Sequence, residues 1–145
     1  MTRSVDELLA EARSGLKRVS PQAAARRARE GAAIVDIRGW EQIERDGSVP
    51  GAAVIPRNVL EWRLEPRGAW SVPELSRPGL QIVLLCHEGY QSSLAAAALR
   101  RLGVDATDVE GGFLAWREAG LPVGPVEDAQ LEFAEAIRDR WSSTV

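Results

Sequence analysis

The sequence predicts an α/β fold, a doubly wound parallel sheet with helices on both faces, and three observations carry that prediction. Short apolar runs of four to six residues alternate with stretches of helical composition, the order that builds parallel sheets through helical crossovers. The run QIVLL (81–85) is apolar at four of five places, as in a central strand covered on both faces. Glycine closes the helical stretches at Gly31, Gly47, Gly103 and Gly120, where the chain must stop and turn.

In chain order, Ser4 and Glu7 have the spacing of a capping box. Val5, Leu8, Leu9, Ala12 and Leu16 then recur on one face, predicting an amphipathic helix over 5–17. Ser20-Pro21 is an N-cap followed by proline at the first helical position, and opens a second helix that ends at Gly31. AAIVDIR (32–38) reads as a buried strand with its charged end at the sheet's rim, where Asp36 and Arg38 are expected to form a structural ion pair. Next come a helix over 39–47, a turn and brief strand over 49–56, and a helix over 58–66. The proline- and glycine-bearing stretch 67–79 reads as a loop. Strand 81–85 leads through a turn to a helix over 93–103. DATDVEGG (105–112) carries a last short strand, and 113–120 the last helix of the core, with Gly111, Gly112 and Trp116 expected in turn and core. Leu131, Ala134, Ile137 and Trp141 fall on one face of a terminal helix. The expected organisation is an N-terminal helical extension over 1–30, the main domain over 31–124 and a C-terminal helix over 125–145.

The totals exclude several function classes. Net charge is −3, so there is no broad basic field to hold nucleic acid, and Arg26, Arg27 and Arg29 read as a solvated helix face. One cysteine and one histidine cannot supply a zinc tetrad or an internal disulfide. No stretch is apolar and long enough to span a membrane, and a free thiol fits a reducing cytoplasm. A monomer or weak homodimer is expected.

Both singular residues stand together in LLCHEGYQSSLAAAALR (84–100). Cys86 leaves a strand and precedes a helix, at the rim where ligands of open α/β sheets gather. Cys86 to Gln91 form a six-residue turn with Gly89 in its middle. Such a turn aims successive N–H groups inward and adds them to the positive end of the following helix, which favours an anion at the sulfur. Cys86 is thus the candidate nucleophile. Candidate substrate contacts are His87, Glu88, Gly89, Tyr90, Gln91 and Ser92 around the turn, with Arg57 beyond the VIP strand. His87 and Glu88 are expected to face outward, because the cradle itself is backbone.

Three segments together resemble the rhodanese-like sulfurtransferases. AAIVDIRGWEQIERDGSVPGAAVIP is similar to the family's VDVR…E…G-H-I-P-G-A-x-N-I-P segment. IVLLCHEGYQSSLAAAALRRLGV resembles its strand, C-x-x-G-x-x loop and helix, and DVEGGFLAWREAGLPV its closing L-x-G-G-x-x-x-W…G-x-P-V. The resemblance covers residues 32 to about 123. It implies a persulfide cycle in which Cys86 takes a sulfane sulfur from a small-molecule donor and yields it to a thiol or cyanide, or to a protein acceptor, with no metal or organic cofactor. The sequence departs from the family at Ser48, where a histidine is frequent, and at Gln91, where an arginine is. The loop CHEGYQ matches neither the basic loops of thiosulfate users nor the glycine-serine loop of mercaptopyruvate users, so the donor is thiosulfate or another persulfide or thiol donor. A second reading is a non-catalytic regulatory or docking module on the same fold. Protein-tyrosine-type phosphatases share the cradle but need an arginine six residues after the nucleophile, and position 92 is serine.

Overall fold

A computed structural model of the chain describes residues 2–132. Four parallel strands, β1 (Ala33–Asp36), β2 (Ala53–Val54), β3 (Ile82–Leu85) and β4 (Ala106–Asp108), lie in the order β2-β1-β3-β4. The chain runs from β1 outward to β2, then returns to place β3 on the other side of β1. That reversal puts the topological switch point between β1 and β3, and the Cys86 turn sits directly above it. Val19 extends the far edge by a parallel bridge to Val109.

Six helices lie wholly among the described residues, α1 (Val5–Ser14), α2 (Pro21–Arg29), α3 (Trp40–Asp46), α4 (Leu60–Leu64), α5 (Gln91–Arg101) and α6 (Gly112–Glu118). The strands alternate their side chains between two cores. Ile82, Leu84 and Cys86 join Leu60, Leu64, Ala95, Ala96 and Leu99 of α4 and α5 on one face. Val83 and Leu85 join Ala24, Ala25, Phe113 and Trp116 of α2 and α6 on the other. The doubly wound expectation is borne out, with every residue of β3 buried.

Several boundaries differ from the expected ones. The Ser4–Glu7 capping box forms and Pro21 opens α2 behind its Ser20 cap, but α1 stops at Ser14 rather than 17. Its apolar face is only partly covered, with Val5 71% and Leu8 47% exposed, because α1 rests on α5 rather than on the sheet. The strand expected over 49–56 shrinks to two paired residues at the sheet's edge. The helix expected over 58–66 is a tight turn over Arg57–Val59 running into five α-helical residues, and α5 begins two residues before its expected start. The chain returns beside the sheet at Ser48, which pairs with Gly124. Of the expected terminal helix, residues 128–132 are helical. Phe133, Ala134, Ile137 and Trp141 lie outside the described residues. No helix among the described residues is long and apolar enough to cross a membrane.

Candidate active site

Cys86 follows the last residue of β3 and is 6% exposed. Its Sγ accepts hydrogen bonds from the N–H groups of Gly89 at 3.1 Å and Ser92 at 3.3 Å. It also lies 3.2 Å from Ser92 Oγ, to which a thiol proton can be donated.

The inward N–H groups follow from what happens to the turn's carbonyls, since the two ends of a trans peptide point in opposite directions. The Cys86 and His87 carbonyls accept from Phe113 N–H at 2.8 Å and Leu114 N–H at 3.1 Å. The Gly89 carbonyl accepts from Arg13 and Arg18, and the Tyr90 carbonyl from Ser93 N–H. With its oxygens tied outward, the turn presents amide hydrogens to the space over the sulfur.

Glycine makes this closeness possible. Gly89 has φ +89°, and a Cβ there would stand 2.8 Å from Gly111 N. Gly112, at φ +61°, would drive a Cβ to 2.5 Å from the Cys86 carbonyl oxygen. The two glycines of the β4–α6 turn therefore form the seat on which the cysteine turn rests.

Behind the turn lies a buried polar network. Ser92 Oγ and Ser93 Oγ donate to the same oxygen of Asp108, at 2.7 and 2.8 Å. Arg18 holds both oxygens of that carboxylate, through Nε at 2.9 Å and Nη2 at 3.2 Å. Asp108 is fully buried, so its charge requires these partners. Arg13 Nε donates to Ser93 Oγ at 3.0 Å, and the Arg13 guanidinium lies 5.5 Å from the centre of the Tyr90 ring.

The residues proposed from sequence separate into two groups. Cys86, Gly89 and Ser92 meet at the sulfur. The side chains of Glu88, Tyr90 and Gln91 are exposed, and none of them hydrogen-bonds to the sulfur. His87 is half-buried rather than turned out, and its Nδ1 is buried with no hydrogen-bond partner among the described residues. It lies toward Asp46, whose carboxyl is held below the usual range by the Arg45 hydrogen bond, with a smaller electrostatic pull from His87. Arg57 stands beyond β2, the edge strand, and its Nη1 pairs with Glu61 at 2.6 Å rather than with any residue of the turn. Asp36 and Arg38 form the expected ion pair, at 2.7 Å and buried, with the guanidinium stacked 3.8 Å from the Phe113 ring centre. Sequence reasoning does not single out Ser93, Asp108, Arg13 or Arg18. A buried acid closing a short strand and a Ser-Ser pair opening a helix are the local signals for three of the contacts; neither arginine has one.

A family model described as the rhodanese-like domain matches residues 20–119. The chain belongs to the rhodanese-like family. A similar solved structure is a Rhodopseudomonas palustris protein of unknown function, described as a possible tyrosine phosphatase. It is 33% identical with a TM-score of 0.77, and the match covers 85% of this chain and 96% of that one. A thiosulfate sulfurtransferase from Pseudomonas aeruginosa is 26% identical with a TM-score of 0.62, over 78% of this chain and 20% of that one. A rhodanese-like domain protein from Staphylococcus aureus is 25% identical with a TM-score of 0.59, over 74% and 98% of the two chains. No curated protein matched the sequence. In this rhodanese-like domain the matched region contains the cysteine turn, Asp108 and the glycine seat, whereas Arg13 and Arg18 precede it.

Proposed function

We propose that this rhodanese-like domain is a sulfurtransferase that carries a sulfane sulfur on Cys86. The observation that carries the reading is the sulfur itself, the only cysteine of the chain, held at 3.1 and 3.3 Å by two amides at the switch point of the sheet. Backbone N–H groups favour the thiolate, and they stabilise negative charge as it passes to the outer sulfur of a persulfide.

The cycle has two displacements. The Cys86 thiolate attacks the outer sulfur of a donor such as thiosulfate. An S–S bond forms to Cys86 while the donor's S–S bond breaks, and sulfite leaves with the electron pair. An acceptor thiolate or cyanide then attacks the outer sulfur of the persulfide and restores the Cys86 thiolate, so no external oxidant or reductant is consumed. With no second cysteine in the chain, the persulfide has no internal thiol to discharge it as a disulfide.

Phosphate-ester hydrolysis at this turn lacks its usual oxyanion fork. Position 92 is a buried serine that donates to Asp108, and the two nearby arginines both donate to the Gly89 carbonyl on the back of the turn.

Intact-protein mass spectrometry after separate incubation with thiosulfate, mercaptopyruvate and glutathione persulfide tests the reading. The expected result is a gain of one sulfur atom with at least one donor, removed by dithiothreitol and absent from Cys86→Ser. No sulfur from any of the three would leave the docking-module reading in its place.

A further inference from the structure

The turn from Cys86 to Gln91 contains no arginine or lysine. Positive charge reaches it from behind instead. Arg13 Nη2 and Arg18 Nη2 both donate to the Gly89 carbonyl, at 2.8 and 2.9 Å. Asp108 balances one of these cations through its two contacts with Arg18, so the cluster keeps a net positive charge against the turn.

The same contacts fix a peptide. No peptide bond among the described residues is cis, so the Tyr90 N–H points opposite to the Gly89 carbonyl, away from both guanidinium groups. It finds no acceptor among the described residues. The Gln91 N–H finds none either, and its antiparallel partner, the Tyr90 carbonyl, is held by Ser93 N–H at 3.1 Å. Rotating the Gly89–Tyr90 peptide would break two charge-assisted hydrogen bonds at once. Two amide donors are thereby kept free on the side of the turn away from the arginines.

We infer that Arg13 and Arg18, from the segment before the family-matched region, are positioning residues that lock the Gly89–Tyr90 peptide and supply the charge that the turn lacks, tuning Cys86 toward anionic reactants. The natural class is a sulfur donor that bears oxyanion oxygens. That class rests on the sulfurtransferase reading; the clamp does not.

The test uses the full chain and two alkylating reagents that differ in charge, iodoacetate and iodoacetamide. Both react with the same sulfur, so the ratio of their rates cancels changes in thiol ionisation and access and reports the attraction for an anion. Arg13→Gln is the primary variant, because it leaves the Arg18–Asp108 pair whole and orphans no buried carboxylate. At low ionic strength the iodoacetate-to-iodoacetamide ratio is expected to fall about threefold, the difference between a charge-assisted and a neutral donor after partial screening. Arg13→Lys should recover part of it, restoring the charge without the two-point fork. Arg18→Lys, which keeps a cation beside Asp108, should lower the ratio by a similar partial step. An unchanged ratio in Arg13→Gln, whether or not the melting temperature falls, would reduce Arg13 to a dock for α1 and overturn the clamp. Mass spectrometry of the wild type with thiosulfate separates the two proposals. A ratio that follows the arginines with no sulfur on Cys86 supports the clamp and removes the donor class. Sulfur loading with an unmoved ratio does the reverse.

Discussion

Ser92 carries one hydroxyl proton, and Asp108 takes it at 2.7 Å. Toward Cys86 the serine therefore offers its lone pairs and its backbone N–H, and a thiolate at this position is held by amides alone. This division of labour makes two residue-level outcomes specific. Cys86→Ser should abolish persulfide formation, since a hydroxyl neither ionises near neutrality nor carries a sulfane sulfur. Its oxygen can accept from the same Gly89 and Ser92 amides, so circular dichroism and the melting temperature should stay close to those of the wild type. Sulfur transfer to cyanide at the wild-type rate in this variant would end the persulfide assignment. Gln91→Arg should lower KM for thiosulfate roughly three- to tenfold with little change in kcat, because the anion is attracted before sulfur transfer begins. Gln91 is exposed and Glu88 shares its turn, so that carboxylate can pair with the new arginine. The double variant Glu88→Gln with Gln91→Arg is therefore the cleaner comparison for steady-state kinetics at two salt concentrations. An unmoved KM in both variants would mean that position 91 does not face the donor.

At the scale of elements, the cysteine turn is a junction of three pieces, each legible to a different degree. Strand β3 and helix α5 are readable from local pattern, because QIVLL and SLAAAALRRLG are contiguous and strongly apolar. The start of α5 lies two residues before the expected one for a physical reason: Ser92 and Ser93 look like capping residues, but their hydroxyls go to Asp108 and the helix opens at Gln91 with no side-chain cap. The role of the β4–α6 turn as a seat is invisible in the sequence, since Gly111 and Gly112 announce a turn but not what lies against it. Gly89→Ala measures that seat. Its φ of +89° strains any side chain, and its Cβ would also strike Gly111 N, whereas Gly51, at φ +81°, has open space around it. Gly51→Ala should cost about 1 kcal/mol of conformational strain, and Gly89→Ala roughly 1–3 kcal/mol beyond it, with slower alkylation of Cys86 as the turn tilts. Urea unfolding of both variants gives the comparison, and equal midpoints would mean that the turn has room to move off the seat.

On the scale of the whole molecule, the features that could not be read from sequence are the long-range polar ones. The two apolar cores follow from alternation within short segments, but Arg18 and Asp108 are 90 residues apart, and Arg13 reaches Gly89 across 76. Nothing local in either arginine distinguishes it from a solvated surface charge. The same holds at the opposite end of the chain. Ser48, read as a departure from the family pattern, is fully buried, and its hydroxyl lies 3.2 Å from both Pro125 O and Gln130 Oε1, either of which can accept its proton. Gln130 in turn donates through Nε2 to the carbonyls of Val49 at 2.9 Å and Ala52 at 3.0 Å, while its Oε1 also accepts from Glu127 N–H at 2.8 Å. One amide side chain, 4% exposed, thus closes the return of the chain over the turn that precedes β2. Gln130→Ala would leave the Ala52 carbonyl and the Glu127 N–H without their partner, at about 1–3 kcal/mol for each group left unsatisfied and less where water enters, while the Val49 carbonyl keeps the Ala52 N–H and the Ser48 hydroxyl keeps Pro125 O. Gln130→Glu should be worse than its small change in shape suggests, because a carboxylate cannot donate to Val49 and Ala52 and would be buried without a cation among the side chains that now touch Gln130. Urea denaturation followed by tryptophan fluorescence should show both midpoints below the wild type, with Gln130→Glu recovering toward Gln130→Ala as pH falls and the carboxyl takes up a proton. Wild-type midpoints in both variants would mean that residues 125–132 dock without contributing to the cooperative unit.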